Sequence, residues 1–182
     1  MIETCHISGL LIVTPKKFED SRGYFSETFN EKRLKEFGFE GSFVQDNQSL
    51  SVASGVVRGL HFQTPPFAQD KLIRVLRGSI YDVAVDLRKS SPTYGQHFGI
   101  ELSASNWKQL LVPIGFAHGF CTLEAHTEVA YKVTNYYAPT HESGILYNDP
   151  DLNVDWPISK ASIISEKDQV LPNFKDFVSP FK

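Results

Sequence analysis

Short β-rich runs, each closed by Gly, Pro, Ser or Asn, recur along this chain at spacings of about 8–12 residues, and that rhythm admits few folds. Residues 10–14, 24–29, 72–76, 79–87, 98–102, Gln109–Val112 and 127–137 read as strands. Within 79–87, the side chains of Tyr81, Val83, Val85 and Leu87 alternate onto one face, the two-residue period of a strand packed on a core. Arg77-Gly78 supplies the turn before it, with a glycine free to take a positive φ. One early helix is predicted over 31–37, with Asn30 as N-cap, Glu31 in its first turn and Gly38 past its end. A second short helical piece is expected near 159–164 or 166–168. So many strands, with so few helices between them, predict an all-β antiparallel sandwich or barrel. The 182 residues fit one domain, 1–182, which no repeat or low-complexity linker divides. Its 14 Phe and 7 Tyr suit a core built on pleated faces.

A net charge of −3 gives no general attraction for nucleic acid, so any anion must be held by a few placed cations. Cys5 and Cys121 make neither a CxxC pair nor a disulfide framework, which fits a reducing compartment. With no apolar run approaching ~18 residues and no leader pattern, the chain reads as cytoplasmic, with no membrane partner. An open sheet edge and many aromatics predict a homodimer.

Several segments carry chemistry-bearing side chains. Arg58-Gly59-Leu60-His61-Phe62-Gln63 precedes Lys71, joining an imidazole suited to proton transfer near neutrality with an anion anchor and an ammonium that stabilises a developing oxyanion. Arg58 and His61 differ in strand parity, but Gly59 between them permits a bulge that re-aims one side chain. Arg22-Gly23-Tyr24-Phe25-Ser26-Glu27 reads by itself as an edge strand with surface charges. Gln45-Asp46-Asn47-Gln48-Ser49 reads as a turn or cap, or as paired donors and acceptors for a nucleobase edge. Tyr131 and Tyr137 share parity and, on a regular strand, lie about 20 Å apart on one face. Ser165-Glu166-Lys167-Asp168 offers a carboxylate able to orient an imidazole through its second nitrogen.

Pro113-Ile114-Gly115-Phe116-Ala117-His118-Gly119 resembles the second half of the cupin motif, a jelly-roll signature. The first half of that motif supplies an H-x-H pair and a Glu as metal ligands. Here the matching stretch is His61-Phe62-Gln63, so one ligand position carries an amide, and the reading is a cupin without metal.

The ordered set Arg22 to Glu27, Gln45-Asp46-Asn47, Arg58-Gly-Leu-His61, Lys71, Pro-x-Gly-Phe-Ala-His118-Gly-Phe, Tyr131, Tyr137, Glu142 and Lys167-Asp168 resembles the dTDP-4-dehydrorhamnose 3,5-epimerase family over nearly the whole chain. The resemblance implies a cupin-like double-stranded β-helix, or jelly roll, that works without cofactor or metal as a homodimer. The implied substrate is dTDP-4-dehydro-6-deoxy-D-glucose and the product dTDP-4-dehydro-L-rhamnose, in dTDP-L-rhamnose biosynthesis. It further implies His61 as proton acceptor, oriented by Asp168; Tyr131 as proton donor; and Lys71 as stabiliser of the enolate oxygen. Arg58, His118, Lys167 and Arg22 are implied to hold the diphosphate and its surroundings. Glu27, Gln45, Asp46 and Asn47 are implied to meet the nucleoside, Tyr137 to stack on thymine, and Glu142 to line the site. In the family the partner's N-terminal segment completes the site, so Arg22 and Glu27 are expected to act across the dimer. Three other readings stay open at this point. One is an enzyme inverting only C3 of a related keto-sugar, one a non-catalytic nucleotide-sugar-binding cupin, and one a metal-dependent cupin oxygenase, which Gln63 disfavours.

Overall fold

A computed structural model describes residues 1–158 and 163–182. The strands run β1 (Ile2–Thr4), β2 (Leu11–Val13), β3 (Phe18–Asp20), β4 (Gly23–Phe25), β5 (Gln45–Ser51), β6 (Val56–Gln63) and β7 (Lys71–Arg77). They continue as β8 (Ser79–Asp86), β9 (His97–Ser103), β10 (Gln109–Val112), β11 (Phe116–Thr122), β12 (Thr127–Val133), β13 (Glu142–Gly144) and β14 (Ile163–Ile164). Two short helices, α1 (Glu31–Lys35) and α2 (Glu166–Gln169), complete the regular elements used below.

One sheet has the order β1-β2-β10-β7-β12-β5 and the other β13-β6-β11-β8-β9, with β14 added in parallel beside β6. Strands distant in sequence lie side by side in both sheets, the Greek-key signature of a jelly roll. Between the sheets, Ile73, Val75, Leu110 and Val129 from the first meet Ile80, Ala84, Phe116 and Phe120 from the second. Burying each such side chain contributes roughly 1.5–3 kcal/mol. The chain is thus an all-β, cupin-like jelly roll.

The expected alternation in β8 is present on both faces. Val83, Val85 and Leu87, with Tyr81 against them, pack outward under Ile145, Leu152 and Phe181 of the C-terminal segment, while Ile80 and Ala84 face the other sheet. Gly78 takes φ +76°, and a Cβ there would lie 2.4 Å from Thr127 Oγ1, so the turn requires glycine. Asn30 caps α1 by accepting from the Arg33 N–H, as expected, though the helix closes at Lys35.

Other expectations need correction. The run 127–137 stops being a strand at Val133, after which a loop folds Tyr137 back toward the site. The run 24–29 is strand only as far as Phe25, in a two-stranded hairpin with β3 that leaves Phe18, Tyr24 and Phe25 exposed. Gln45–Ser51 is neither turn nor cap but the edge strand β5, paired along its length with β12. Its polar residues alternate between solvent and the interior of the sandwich, so no apolar period marks it. Part of the second helical expectation, 159–162, lies outside the described residues. Ile163–Ile164 is strand instead, and the helix forms at Glu166–Gln169.

Candidate active site

Where the two sheets splay, a cavity of about 440 Å³ opens, lined by Arg58, His61, Lys71, His118, Tyr131, Lys167 and Asp168. A second chamber of about 280 Å³ shares His61, Lys71 and Tyr131 with it and adds Gln45, Asn47, Tyr137 and Glu142. Apolar walls come from Ile73, Phe120 and Val129.

The β6–β11 ladder explains how Arg58 and His61 both reach this space. His61 pairs with His118 and Arg58 with Phe120, with a register shift between them. Gly59 sits at that shift with φ +125°, and a Cβ there would lie 2.6 Å from Gly119 Cα, so two glycines let the strands touch. The expected bulge is therefore present.

His61 Nε2 lies 2.8 Å from Asp168 Oδ1, while Asp168 Oδ2 accepts from the Gly59 N–H at 3.2 Å. Asp168 is delivered by α2, whose N-cap Ser165 accepts from the Asp168 N–H. Burial pushes the Asp168 carboxyl up, but hydrogen bonds from His61, Gly59 and Ser165 outweigh it and hold the group below its usual range. An ionised carboxylate only accepts, so Nε2 carries the proton and Nδ1 keeps its lone pair for the cavity.

Lys71, on β7, donates to the His61 carbonyl at 3.4 Å. Burial drives its ammonium down to about 8, against the pull of Asp82 and Glu142. Tyr131 stands on β12, in the sheet opposite His61, where burial raises its phenol above the ordinary value despite the nearby Arg58 charge. His118 Nε2 lies 2.9 Å from the buried Asp82 Oδ1. At the mouth, Tyr137 Oη donates to Glu142 Oε2 at 2.7 Å, and Lys167 pairs with the other oxygen of Glu142. Burial opposes ionisation of Glu142, yet the Lys167 and Tyr137 hydrogen bonds leave it below its usual value.

Three expected site residues stand apart. Arg22, 88% exposed, is paired with Asp20 on the β3–β4 hairpin. Glu27 accepts from Asn30 and lies 3.7 Å from Arg33. Asp46 points out of the sandwich to Lys132, while its neighbours Gln45 and Asn47 bond to each other inside. Two residues were missed. Asp82 lies on the face of β8 shared by Ile80 and Ala84, and a carboxylate in that apolar register was the available signal. The other is Gln63, at the cupin ligand position. Its amide is spent on three backbone partners, the carbonyls of Phe67 and Tyr136 and the Ala138 N–H. Among the described residues, no group of three or more His, Cys, Asp or Glu side chains could hold a metal ion, and no helix is long and apolar enough to cross a membrane.

The chain that carries this cavity resembles known proteins in sequence and in fold. The family model described as dTDP-4-dehydrorhamnose 3,5-epimerase matches residues 4–176. A curated Sinorhizobium fredii protein of that name is 47% identical over 99% of this chain and 92% of its own length. The crystal structure of dTDP-4-dehydrorhamnose 3,5-epimerase from Bacillus anthracis, with TDP and PPi bound, has a TM-score of 0.92 at 51% identity, covering 95% of this chain and 98% of that one. A Legionella pneumophila epimerase in complex with dTDP-4-keto-L-rhamnose has a TM-score of 0.90 at 46% identity, covering 95% and 92%. Likeness at this level extends over nearly the whole chain, and the chain belongs to the dTDP-4-dehydrorhamnose 3,5-epimerase family.

Proposed function

We propose that the chain converts dTDP-4-dehydro-6-deoxy-D-glucose to dTDP-4-dehydro-L-rhamnose, with His61 as base, Tyr131 as acid and Lys71 as oxyanion partner. The observation that carries this reading is the placement of His61 and Tyr131 on opposite sheets, facing one cavity between them. A C4 ketone acidifies the hydrogens on C3 and C5, so removing either gives an enolate. Inverting the carbon then needs a proton from the other face, which a base acting alone cannot give.

Each group suits its step. Asp168 holds His61 with Nδ1 free to accept the carbon-bound proton. Lys71 neutralises the oxygen that gains charge, an effect worth roughly 3–4 kcal/mol for one well-placed donor. The raised phenol of Tyr131 keeps its proton until the enolate calls for it. Arg58, His118 and Lys167 supply positive charge and N–H donors for the diphosphate. Tyr137, with Gln45, Asn47 and Glu142 beside it, forms the nucleoside end.

The working unit in this reading is a homodimer. Phe18, Tyr24 and Phe25 are exposed on the β3–β4 hairpin, an apolar arm that a second copy would cover. Docked there, the arm would bring Arg22 and Glu27 to the partner's cavity.

The test is NMR of the keto-sugar nucleotide incubated with the protein in heavy water. Deuterium is expected at both C3 and C5, with the L-sugar accumulating. Tyr131→Phe should impair inversion more than the initial exchange. Exchange confined to C3 would reduce the reading to a C3 epimerase, and no exchange would leave only binding.

A further inference from the structure

We propose that Gln63 is a positioning residue for the nucleoside end of the site, clamping the backbone on both sides of Tyr137; this rests on the reading of Tyr137 as the base-stacking side chain. Gln63 ends β6 and is 4% exposed, so every polar atom of its amide needs a partner inside the protein. Its Nε2 donates to the Tyr136 carbonyl at 3.2 Å and to the Phe67 carbonyl at 2.6 Å. Its Oε1 accepts from the Ala138 N–H at 2.7 Å. Two donors and one acceptor are all used, and the partners dictate which end of the amide is which.

The residues held are those directly before and after Tyr137. Among the described residues no regular element includes Tyr137: β12 has ended at Val133, and a short 3-10 turn begins only at Pro139. The ring is half-exposed, so little packing fixes it, and its hydroxyl reaches Glu142 only while the loop keeps this path. Glu142 is itself the strand partner of Gln63 across β6 and β13. One amide therefore sets the height of Tyr137 relative to the carboxylate it meets. Of the twenty side chains, only glutamine offers two donors and an acceptor at this reach. A glutamate would put an oxygen against two carbonyls, and a histidine lacks the second donor on the same atom.

The experiment measures dTDP binding by calorimetry, and KM and kcat, for Gln63→Met, Gln63→Glu, Tyr137→Ala and the double variant Gln63→Met/Tyr137→Ala, alongside their thermal midpoints. The expected result is that dTDP dissociation constant and KM rise about tenfold in Gln63→Met, the scale of one base–aromatic stack. That rise should exceed the fall in kcat, and adding Gln63→Met to Tyr137→Ala should weaken dTDP further by less than twofold. Gln63→Glu, which keeps the volume, should weaken dTDP at least as much, and it serves if Gln63→Met does not fold. Effects that multiply in the double variant, or a kcat loss as large as the loss in binding, would overturn the positioning role. If Tyr137→Ala itself binds dTDP at wild-type strength, the base-stacking reading falls instead.

Discussion

Two histidine–aspartate pairs stand side by side in this site, on facing positions of β6 and β11, and they differ in what surrounds them. His61 is 27% exposed at its side chain and opens onto the cavity, whereas His118 is 9% exposed and wedged in the sheet. Asp168 comes from a short helix near the C-terminus and has both oxygens occupied, by His61 and by the Gly59 N–H. Asp82 comes from the neighbouring strand β8, and its Oδ2 makes no hydrogen bond among the described residues. In the proposed reading, the same two side chains make a proton-transfer pair where one ring nitrogen is free and accessible. They make a rigid polar fixture where the ring is enclosed. Access and scaffolding, more than residue type, separate base from binder.

The largest effect that would test this contrast is loss of the first pair. His61→Asn is expected to lower kcat by about 10²–10⁴-fold, the range for removing a general base. Asp168→Asn should cost nearly as much, because an amide cannot accept from both Gly59 and His61 and would invert the tautomer of the ring. Solvent deuterium exchange and turnover measure both. A residual exchange rate above one-tenth of wild type in His61→Asn would erase the distinction between the pairs.

How these pairs form was only partly readable from residue order. The strands with an apolar period, such as β8 and β7, declare themselves because one or both faces pack on a core. β5 does not, since its inner residues Gln45 and Asn47 line a polar cavity and its outer ones meet solvent. β11 is buried on both faces and carries a glycine and a histidine at the sheet centre, so alternation fails there too. His61, Lys71 and Asp168 stand out as residue types. That Asp168 meets His61 depends on a helix arriving from 107 positions away, which local pattern cannot encode. Asp82 was hidden for the opposite reason: its strand reads as core, and a single charge within it attracts no motif. Arg22, Glu27 and Asp46 lie outside the cavity of one chain, each paired with a neighbour of its own surface.

A smaller but more diagnostic effect concerns Lys71, which lines both chambers. Lys71→Met is expected to lower kcat about 10²–10³-fold, the loss seen when one oxyanion donor is removed. With the ammonium driven down to about 8, it is charged below that pH and neutral above it. Oxyanion stabilisation is then complete on the acid side and lost as pH rises through about 8. The plot of kcat/KM against pH should show that descending limb, and Lys71→Met should abolish it. Tyr131, raised above its ordinary value, stays protonated throughout and contributes no limb there. A limb that persists in Lys71→Met would belong to another group.

The smallest expected effect is the one on which the comparison turns. If the second pair holds the ligand and does not move its protons, His118→Asn should raise KM and the dTDP dissociation constant about tenfold, as for one hydrogen bond to a charged group. Its kcat should fall by a smaller factor. Asparagine keeps a donor near Asp82 but shortens the reach into the cavity, so the buried carboxylate is not stripped of its partner and the fold survives. The salt dependence is informative as well, since a contact to diphosphate weakens as ionic strength rises whereas a proton path does not. The diphosphate role therefore predicts that the penalty of His118→Asn shrinks at high salt. A kcat loss rivalling that of His61→Asn would mean that enclosure does not silence an imidazole here. Both rings would then serve the chemistry, one for each carbon that is inverted.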